Sequence, residues 1–337
     1  MTMAYFATKR FSYWGQLGIL AAMSGVGLII GGVASIIPLL GKINILDLKN
    51  LSSASLIDDL LKPENAAVLR WSQCISTLFL FFLPPVFYSW ICHRKVFMHL
   101  GFNQSLDSKK IILVLLIMIA CLPVVGALQE LTELLPWSKS MLQQFKTAED
   151  SYNREVAVMA RMNNFGDYII SLVVIAFLPA VFEETLFRGA LQNLLSRWSK
   201  MPVISIIVTA IIFSAVHGSY LGFLSRFALG FILGWIFYRT GNIWLNIIAH
   251  FFNNAFAITA LYSMTAPGHT TDPSKIDDHF PLWIGMIGIV VVIGLFIFFE
   301  KLNKKDIDRP GEEVLIPGFN HSDHPFSIDD EMKGETL

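Results

Sequence analysis

The amino-acid sequence predicts an all-α fold: a polytopic transmembrane helical bundle of about eight spanning helices, with one or two interfacial amphipathic helices. Three observations predict it. Of the 337 residues, 54% are hydrophobic and only 15% are charged, whereas soluble domains carry about 25% charged residues. Mean hydropathy is +0.57. The apolar residues are also gathered into runs of roughly 20, the length a helix needs to cross a bilayer.

Eight runs qualify, at 11–40, 66–92, 111–136, 167–198, 202–218, 222–238, 243–264 and 281–300. The first, from Phe11 to Leu40, is too long for a cleaved signal and lacks a small-residue cleavage site followed by polar chain. It reads as a spanning helix. The fifth and sixth are short and separated only by "GSYLG", so they are either two helices or one broken helix. Between the third and fourth, residues 141–159 place Met141, Phe145, Tyr152, Val156 and Met159 on one helical face, with Lys146, Glu149, Asp150 and Arg154 elsewhere. That period predicts an amphipathic helix lying in the interface; the bland alternative is a loop packed on the bundle. "LSSASLIDDLL" is a shorter candidate of the same kind. From Asn303 onward the chain turns polar ("DRPGEE", "SIDDEMKGE") and is expected to be largely disordered. These shifts divide the chain into N-terminal transmembrane helices (1–140), an amphipathic connection (141–166), a helical core (167–300) and a polar tail (301–337).

Lys and Arg set the orientation of the spans. With the N-terminus inside and eight alternating helices, the short inside segments receive Lys9, Arg10, Arg94, Lys95, Lys109, Lys110, Arg197, Lys200, Arg239 and Lys301. The outside loops are longer and diluted by acids such as Glu64, Glu149 and Asp150. Both termini are therefore expected in the cytoplasm, and the expected location is a bacterial cytoplasmic membrane. A net charge of −1 gives no electrostatic reason to expect nucleic acid. Cys74, Cys92 and Cys121 all lie in apolar runs and read as small buried hydrophobes.

Ionisable groups at bilayer depth are costly and are functional candidates by default. Here they fall in three segments: Glu183, Glu184 and Arg188 in "LPAVFEETLFRGAL"; Phe213 and His217 in "FSAVHG"; and Asn242, Asn246, His250, Asn253 and Asn254 in "NIWLNIIAHFFNN". Glu184 and Arg188 are four apart and can pair on one face. Glu183 lies about 100° round the helix and is left free. A desolvated free carboxylate suits general acid–base work. Pro179, one turn earlier, removes a backbone bond and can kink the helix beside the acid. Asn242, Asn246, His250 and Asn254 recur every four residues as one polar stripe, which must face protein or water. At about 1.5 Å per residue, Glu183 is roughly 25 Å from Lys200, His217 roughly 24 Å from Met201 and His250 roughly 17 Å from Arg239. The three segments could thus present their polar groups at one level. Taken singly, each histidine has a bland reading as a hydrogen-bonded interhelical residue. Asn246 and Asn253 read as interhelical glue, Gly230 and Gly234 as close helix packing, and Arg226 as a snorkelling side chain.

"EETLFR", "FSAVH" and "HFFNN" fit the patterns EExxxR, FxxxH and HxxxN in that order. The set resembles the three motifs of the CPBP intramembrane protease family, which includes the type II CAAX prenyl endopeptidases and bacterial Abi and lysostaphin-resistance-like proteins. The resemblance covers about residues 165–265. Its third motif ends in Asn254 where some members have Asp. It implies an intramembrane endopeptidase in which Glu183 activates the attacking water and His217 helps to hold it. His250 and Asn254 would stabilise the oxyanion, and Glu184, Arg188, Phe213 and Pro179 would support the site. The implied partners are a lipid bilayer and a membrane-associated peptide or protein.

Other readings stay open at this stage. Peptide hydrolysis needs a nucleophilic water, a proton shuttle and oxyanion donors, and the expected mechanism uses no cofactor. Zinc is the alternative, with Glu183, His217 and His250 as three ligands, although no HExxH is present. Ser214 is three residues from His217 on one helix and is poorly placed for a Ser–His mechanism. A proton-coupled transporter would use the same ionisable groups as a relay, but neither inverted repeats nor paired broken helices are evident. A non-catalytic immunity scaffold would not need all of Glu183, His217, His250 and Asn254. The substrate is not legible.

Overall fold

The computed structural model describes residue 9 and residues 11–40, 59–102, 104–265 and 281–307. The polar tail beyond residue 307 and most of "LSSASLIDDLL" lie outside the described residues. Those described form a polytopic helical bundle without a strand. In chain order the main helices are α1 (Tyr13–Leu39), α2 (Pro63–Cys92), α3 (Ser108–Leu134), α4 (Lys139–Met159), α5 (Phe165–Ser199), α6 (Pro202–Val216), α7 (Phe223–Thr240), α8 (Ile243–Thr265) and α9 (Leu282–Ile307). Six of them, α1, α2, α3, α5, α8 and α9, are long and apolar enough to cross a membrane.

Polar residues mark the starts of these helices. Ser12, Asp107, Ser138 and Asn164 each accept a hydrogen bond from a backbone N–H in the first turn, of Gly15, Lys109, Met141 and Asp167 respectively. Such caps satisfy donors that the helix itself leaves unpaired. Pro202 opens α6, where its missing N–H costs nothing. Gly241 ends α7 in the left-handed region at φ 59°, and its N–H bonds to Phe237 O at 2.7 Å.

The short fifth and sixth runs form two helices rather than one broken one. α6 and α7 are antiparallel neighbours: a Cβ at Gly230 would stand 3.2 Å from Ala210 Cα, and one at Gly234 would stand 2.8 Å from Ile206 Cγ2. The two glycines permit this backbone approach, as their spacing predicts. α9 lies antiparallel to α3 in the same way, with Gly285 against Ala127 and Gly288 against Val124.

The two largest apolar clusters among the described residues involve α5 and α8. One joins α1, α2 and α5 through Leu20, Tyr88, Phe187 and Leu194, with Phe213 of α6 completing it. The other joins α3, α7, α8 and α9 through Ile117, Met118, Leu233, Ile236 and Phe299. Outward faces carry bare aliphatic side chains such as Ile29 at 68% and Val290 at 70% exposed, a surface suited to lipid rather than water. Cys92 and Cys121 are buried and Cys74 is half-buried, all unbridged.

α4 forms as its period predicts, but its apolar face turns onto the bundle. Phe145 stacks on Tyr220 with ring centroids 4.6 Å apart, and Tyr152, Val156 and Met159 line a central cavity. Glu149 Oε2 accepts from Ser219 Oγ at 2.6 Å. At the C-terminal end, Arg70 of α2 donates through Nε to Met159 O at 2.6 Å and through Nη2 to Arg161 O. These polar ties and the aromatic stack offer the amphipathic face a partner inside the protein, so α4 roofs the cavity.

Candidate active site

The site begins with a local irregularity in α5. Residues Leu172–Phe177 are π-helical, and the N–H of Leu178 bonds to Val173 O, five residues back. Pro179 then opens an α-helical segment of only 7 residues, Leu178–Glu184, and a second π-helical stretch, Thr185–Gln192, follows. The widened turn accommodates the donor that proline lacks. The same device precedes Pro84 and Pro85 in α2, where Leu83 N–H bonds to Leu78 O. Both glutamates therefore sit on a short α-helical island between wide turns, and Pro179 lines the cavity beside them.

Glu184 is wholly buried and fully engaged. Its Oε1 accepts from Arg188 Nη1 at 2.9 Å and from His250 Nδ1 at 2.8 Å, and Asn246 Nδ2 donates to Oε2 at 3.3 Å. Arg188, also wholly buried, donates its Nη2 to Gly230 O at 3.0 Å and lies 4.7 Å from the centroid of Phe213. Asn246 donates again to Leu233 O at 2.7 Å. The i,i+4 pair expected from spacing is present, but it is one edge of a network linking α5, α7 and α8. Such networks fix geometry when each charge is met.

Glu183 is the contrast. It is buried, and its Oε2 has no hydrogen-bond partner. Two imidazoles face that oxygen: His217 Nε2 at 3.7 Å and His250 Nε2 at 3.9 Å. Both separations exceed a direct hydrogen bond. The opposite ring nitrogens are anchored. His217 Nδ1 is 2.7 Å from Phe213 O, an acceptor, so Nδ1 carries the proton. His250 Nδ1 likewise donates to Glu184. In the neutral rings, both Nε2 atoms are then acceptors aimed at the same place. Phe213 packs against both imidazoles, with centroids 4.8 and 5.9 Å away.

These groups border a cavity of about 500 Å3, which Asn253 and Asn254 also line. Asn254 Oδ1 accepts from Asn253 Nδ2 at 3.5 Å. Glu183, His217, His250 and Asn254 thus reach one cavity from α5, α8 and the residue that follows α6. As placed, no group of three His, Cys, Asp or Glu side chains among the described residues could hold a metal ion.

Spacing alone missed two features. The Glu184–His250 bond spans 66 residues, although the four-residue stripe of Asn246 and His250 already showed that both face one neighbour. Arg226 also borders the site: its guanidinium carbon lies 5.4 Å from the Tyr152 ring centroid, and the half-buried side chain lines the cavity.

The order and geometry of these residues invite comparison with known proteins. Residues 165–256 match the Rce1-like family. That family is described as type II CAAX prenyl endopeptidase Rce1-like, in keeping with the three motifs. The chain is also similar to the uncharacterised protein YpbD of Bacillus subtilis (strain 168), at 33% identity over 88 residues, covering 25% of this chain and 42% of that protein. It is 28% identical over 144 residues to an uncharacterised 24.3 kDa protein of Escherichia coli, covering 39% of this chain and 65% of that one. No solved structure matches. The Rce1-like segment contains Glu183, His217, His250 and Asn254, while the cavity walls from α2 and α4 lie outside it.

Proposed function

We propose that this protein is an intramembrane endopeptidase that hydrolyses a peptide bond in a membrane-associated substrate, with Glu183 as the group that activates water. The observation that carries this reading is the pairing of one buried, unpartnered carboxylate oxygen with two imidazole Nε2 atoms, facing it at 3.7 and 3.9 Å inside a cavity large enough for a peptide segment. The core of residues 167–300 houses the chemistry, and α4 covers it.

Each residue has a distinct part. A water beside Glu183 Oε2 gives a proton to the carboxylate as its oxygen attacks the carbonyl carbon. His217, held by Phe213 O in the tautomer with a free Nε2, accepts the water's other hydrogen as a hydrogen bond and orients its lone pair. The Asn254 amide donates to the developing oxyanion. His250 donates there only when both its nitrogens carry protons, with Glu184 balancing the charge. Glu183 then passes its proton to the leaving amine, so the products are a carboxylic acid and an amine. Glu184, Arg188 and Asn246 touch no reacting atom; they fix the ring of His250.

The name of the matching family makes a prenylated CAAX-type C-terminus the first substrate to try. The purified protein in lipid nanodiscs, given an S-farnesylated CAAX peptide, is expected to release the C-terminal fragment at the same rate with and without excess chelator. Loss of cleavage in chelator and its recovery with zinc would replace the water-activating role of Glu183 by a metal-ligand role for Glu183, His217 and His250. Absence of cleavage together with proton flux in sealed liposomes would favour a transporter.

A further inference from the structure

The cavity has three guanidinium groups in or near its wall, and they are not alike. Arg188 has Glu184 and Gly230 O. Arg70 has two carbonyls at the end of α4. Arg226, in the first turn of α7, has none: among the described residues its guanidinium makes no ion pair and no hydrogen bond, and its Nη1 is buried without an acceptor. It rests on the Tyr152 ring, in the wall that also holds Glu183 and His217. Glu149 of α4 makes no ion pair with it and spends Oε2 on Ser219. A place is nevertheless made for the cation. A Cβ on Gly222 would stand 2.1 Å from Arg226 Nη1 and 2.8 Å from Ser219 Oγ, so only glycine there lets the guanidinium lie as it does.

An unpaired guanidinium inside a membrane protein is costly, and such groups usually meet a partner. We propose that Arg226 binds a carboxylate of the substrate, so that the site selects peptides bearing an anionic group a short distance from the bond presented to Glu183. The inference rests on the endopeptidase reading of the cavity. A carboxylate is the anion a peptide supplies, and guanidinium matches its two oxygens with two parallel N–H donors. The Tyr152 ring, 5.4 Å from the guanidinium carbon, is within cation–π range. The carboxylate has two sources: the chain terminus, or an Asp or Glu side chain.

The test uses the full-length protein in nanodiscs and one S-farnesylated CAAX peptide in three forms: free C-terminal acid, C-terminal amide, and amide with Glu as the last residue. Losing a charge-assisted contact is worth about tenfold in affinity. Wild type is expected to cleave the acid with a kcat/KM about tenfold above the amide, mostly through KM. In Arg226→Gln the two forms become equal, and Arg226→Lys recovers part of the difference. Gly222→Ala, which keeps the charge but displaces it, also erodes the preference. Rescue of the amide by the Glu side chain assigns the receptor to a side-chain carboxylate, and failure of rescue assigns it to the terminus. Binding of the same peptides to Glu183→Gln, measured with and without Arg226→Gln, separates this inference from the reading beneath it. If nothing is cleaved but binding still depends on the carboxylate and Arg226, the endopeptidase reading falls and the receptor stands. An acid-to-amide ratio near one in the wild type, or unchanged by Arg226→Gln, overturns the receptor.

Discussion

Glu183 and Glu184 are adjacent, yet their surroundings give them opposite work. Glu184 is held by Arg188, His250 and Asn246, while Glu183 Oε2 has no hydrogen bond and faces two ring nitrogens. Their difference was legible because helical geometry lets only Glu184 reach Arg188 on its own face. The bond from Glu184 to His250 was not, because nothing in one helix's spacing says which side chain a neighbouring helix delivers. The contact of Arg226 with Tyr152 was not legible either, for a related reason. Spacing marks it only as a cation near a helix end, and the position of α4 is what sets Tyr152 against it. Glu184→Ala is expected to destabilise the bundle by about 3–5 kcal/mol, because it strands a buried guanidinium. Denaturant unfolding in detergent measures this, and an unchanged midpoint would show that Arg188 does not depend on Glu184.

The long apolar runs gave helices that begin within a few residues of expectation, with Ser12, Asp107, Ser138 and Asn164 standing at four of the starts; the last helix differs at its end, running to Ile307 into the segment expected as polar tail. The π-helical stretches in α2 and α5 were not legible, since an apolar run looks the same at either pitch. Prolines follow the stretches Leu78–Phe82 and Leu172–Phe177 and hint at them; nothing comparable marks Thr185–Gln192. Helix packing carries a sharp contrast between neighbours in α1. A Cβ on Gly27 would stand 2.1 Å from Phe79 O, whereas one on Gly25 meets nothing within 4 Å. Gly27→Ala is therefore expected to cost about 1–3 kcal/mol by overpacking, and Gly25→Ala to be neutral or mildly stabilising through helix propensity. Thermal unfolding of both variants in detergent compares them directly. For α4, the two carbonyls held by Arg70 predict that Arg70→Met loosens its C-terminal end. Limited proteolysis would then cut near Met159 faster than in the wild type, while equal rates would show that the aromatic contacts suffice.

The described residues combine a lipid-facing apolar shell, apolar cores on either side and a cavity with a cluster of polar groups where α5, α6, α7 and α8 meet. Counted along their helices, Glu183, His217 and His250 lie at comparable depths, and the structure sets both imidazoles within 4 Å of Glu183 Oε2. A second buried polar cluster was not foreseen, in the connection after α2. His93 and His99 stack with centroids 3.3 Å apart. Burial, with Arg197 adding to it, pushes His93 down to about 2, and burial with His93 beside it holds His99 well below the ordinary imidazole value. The folded bundle thus refuses protons that the unfolded chain accepts below about pH 6.5. Their contribution to stability is present above that value and is lost as the pH falls toward 2. Unfolding midpoints are expected to drop between pH 7.5 and pH 5, and to drop less in His93→Gln. A pH-independent midpoint across that range would contradict it.

The claim at the centre is that Glu183 does chemistry and Glu184 does not. The most direct measurement is cleavage of the farnesylated CAAX peptide by Glu183→Gln, paired with its unfolding midpoint. No detectable cleavage is expected, with a midpoint like that of the wild type, since Glu183 Oε2 makes no hydrogen bond to lose. Cleavage at the wild-type rate by that variant would contradict it.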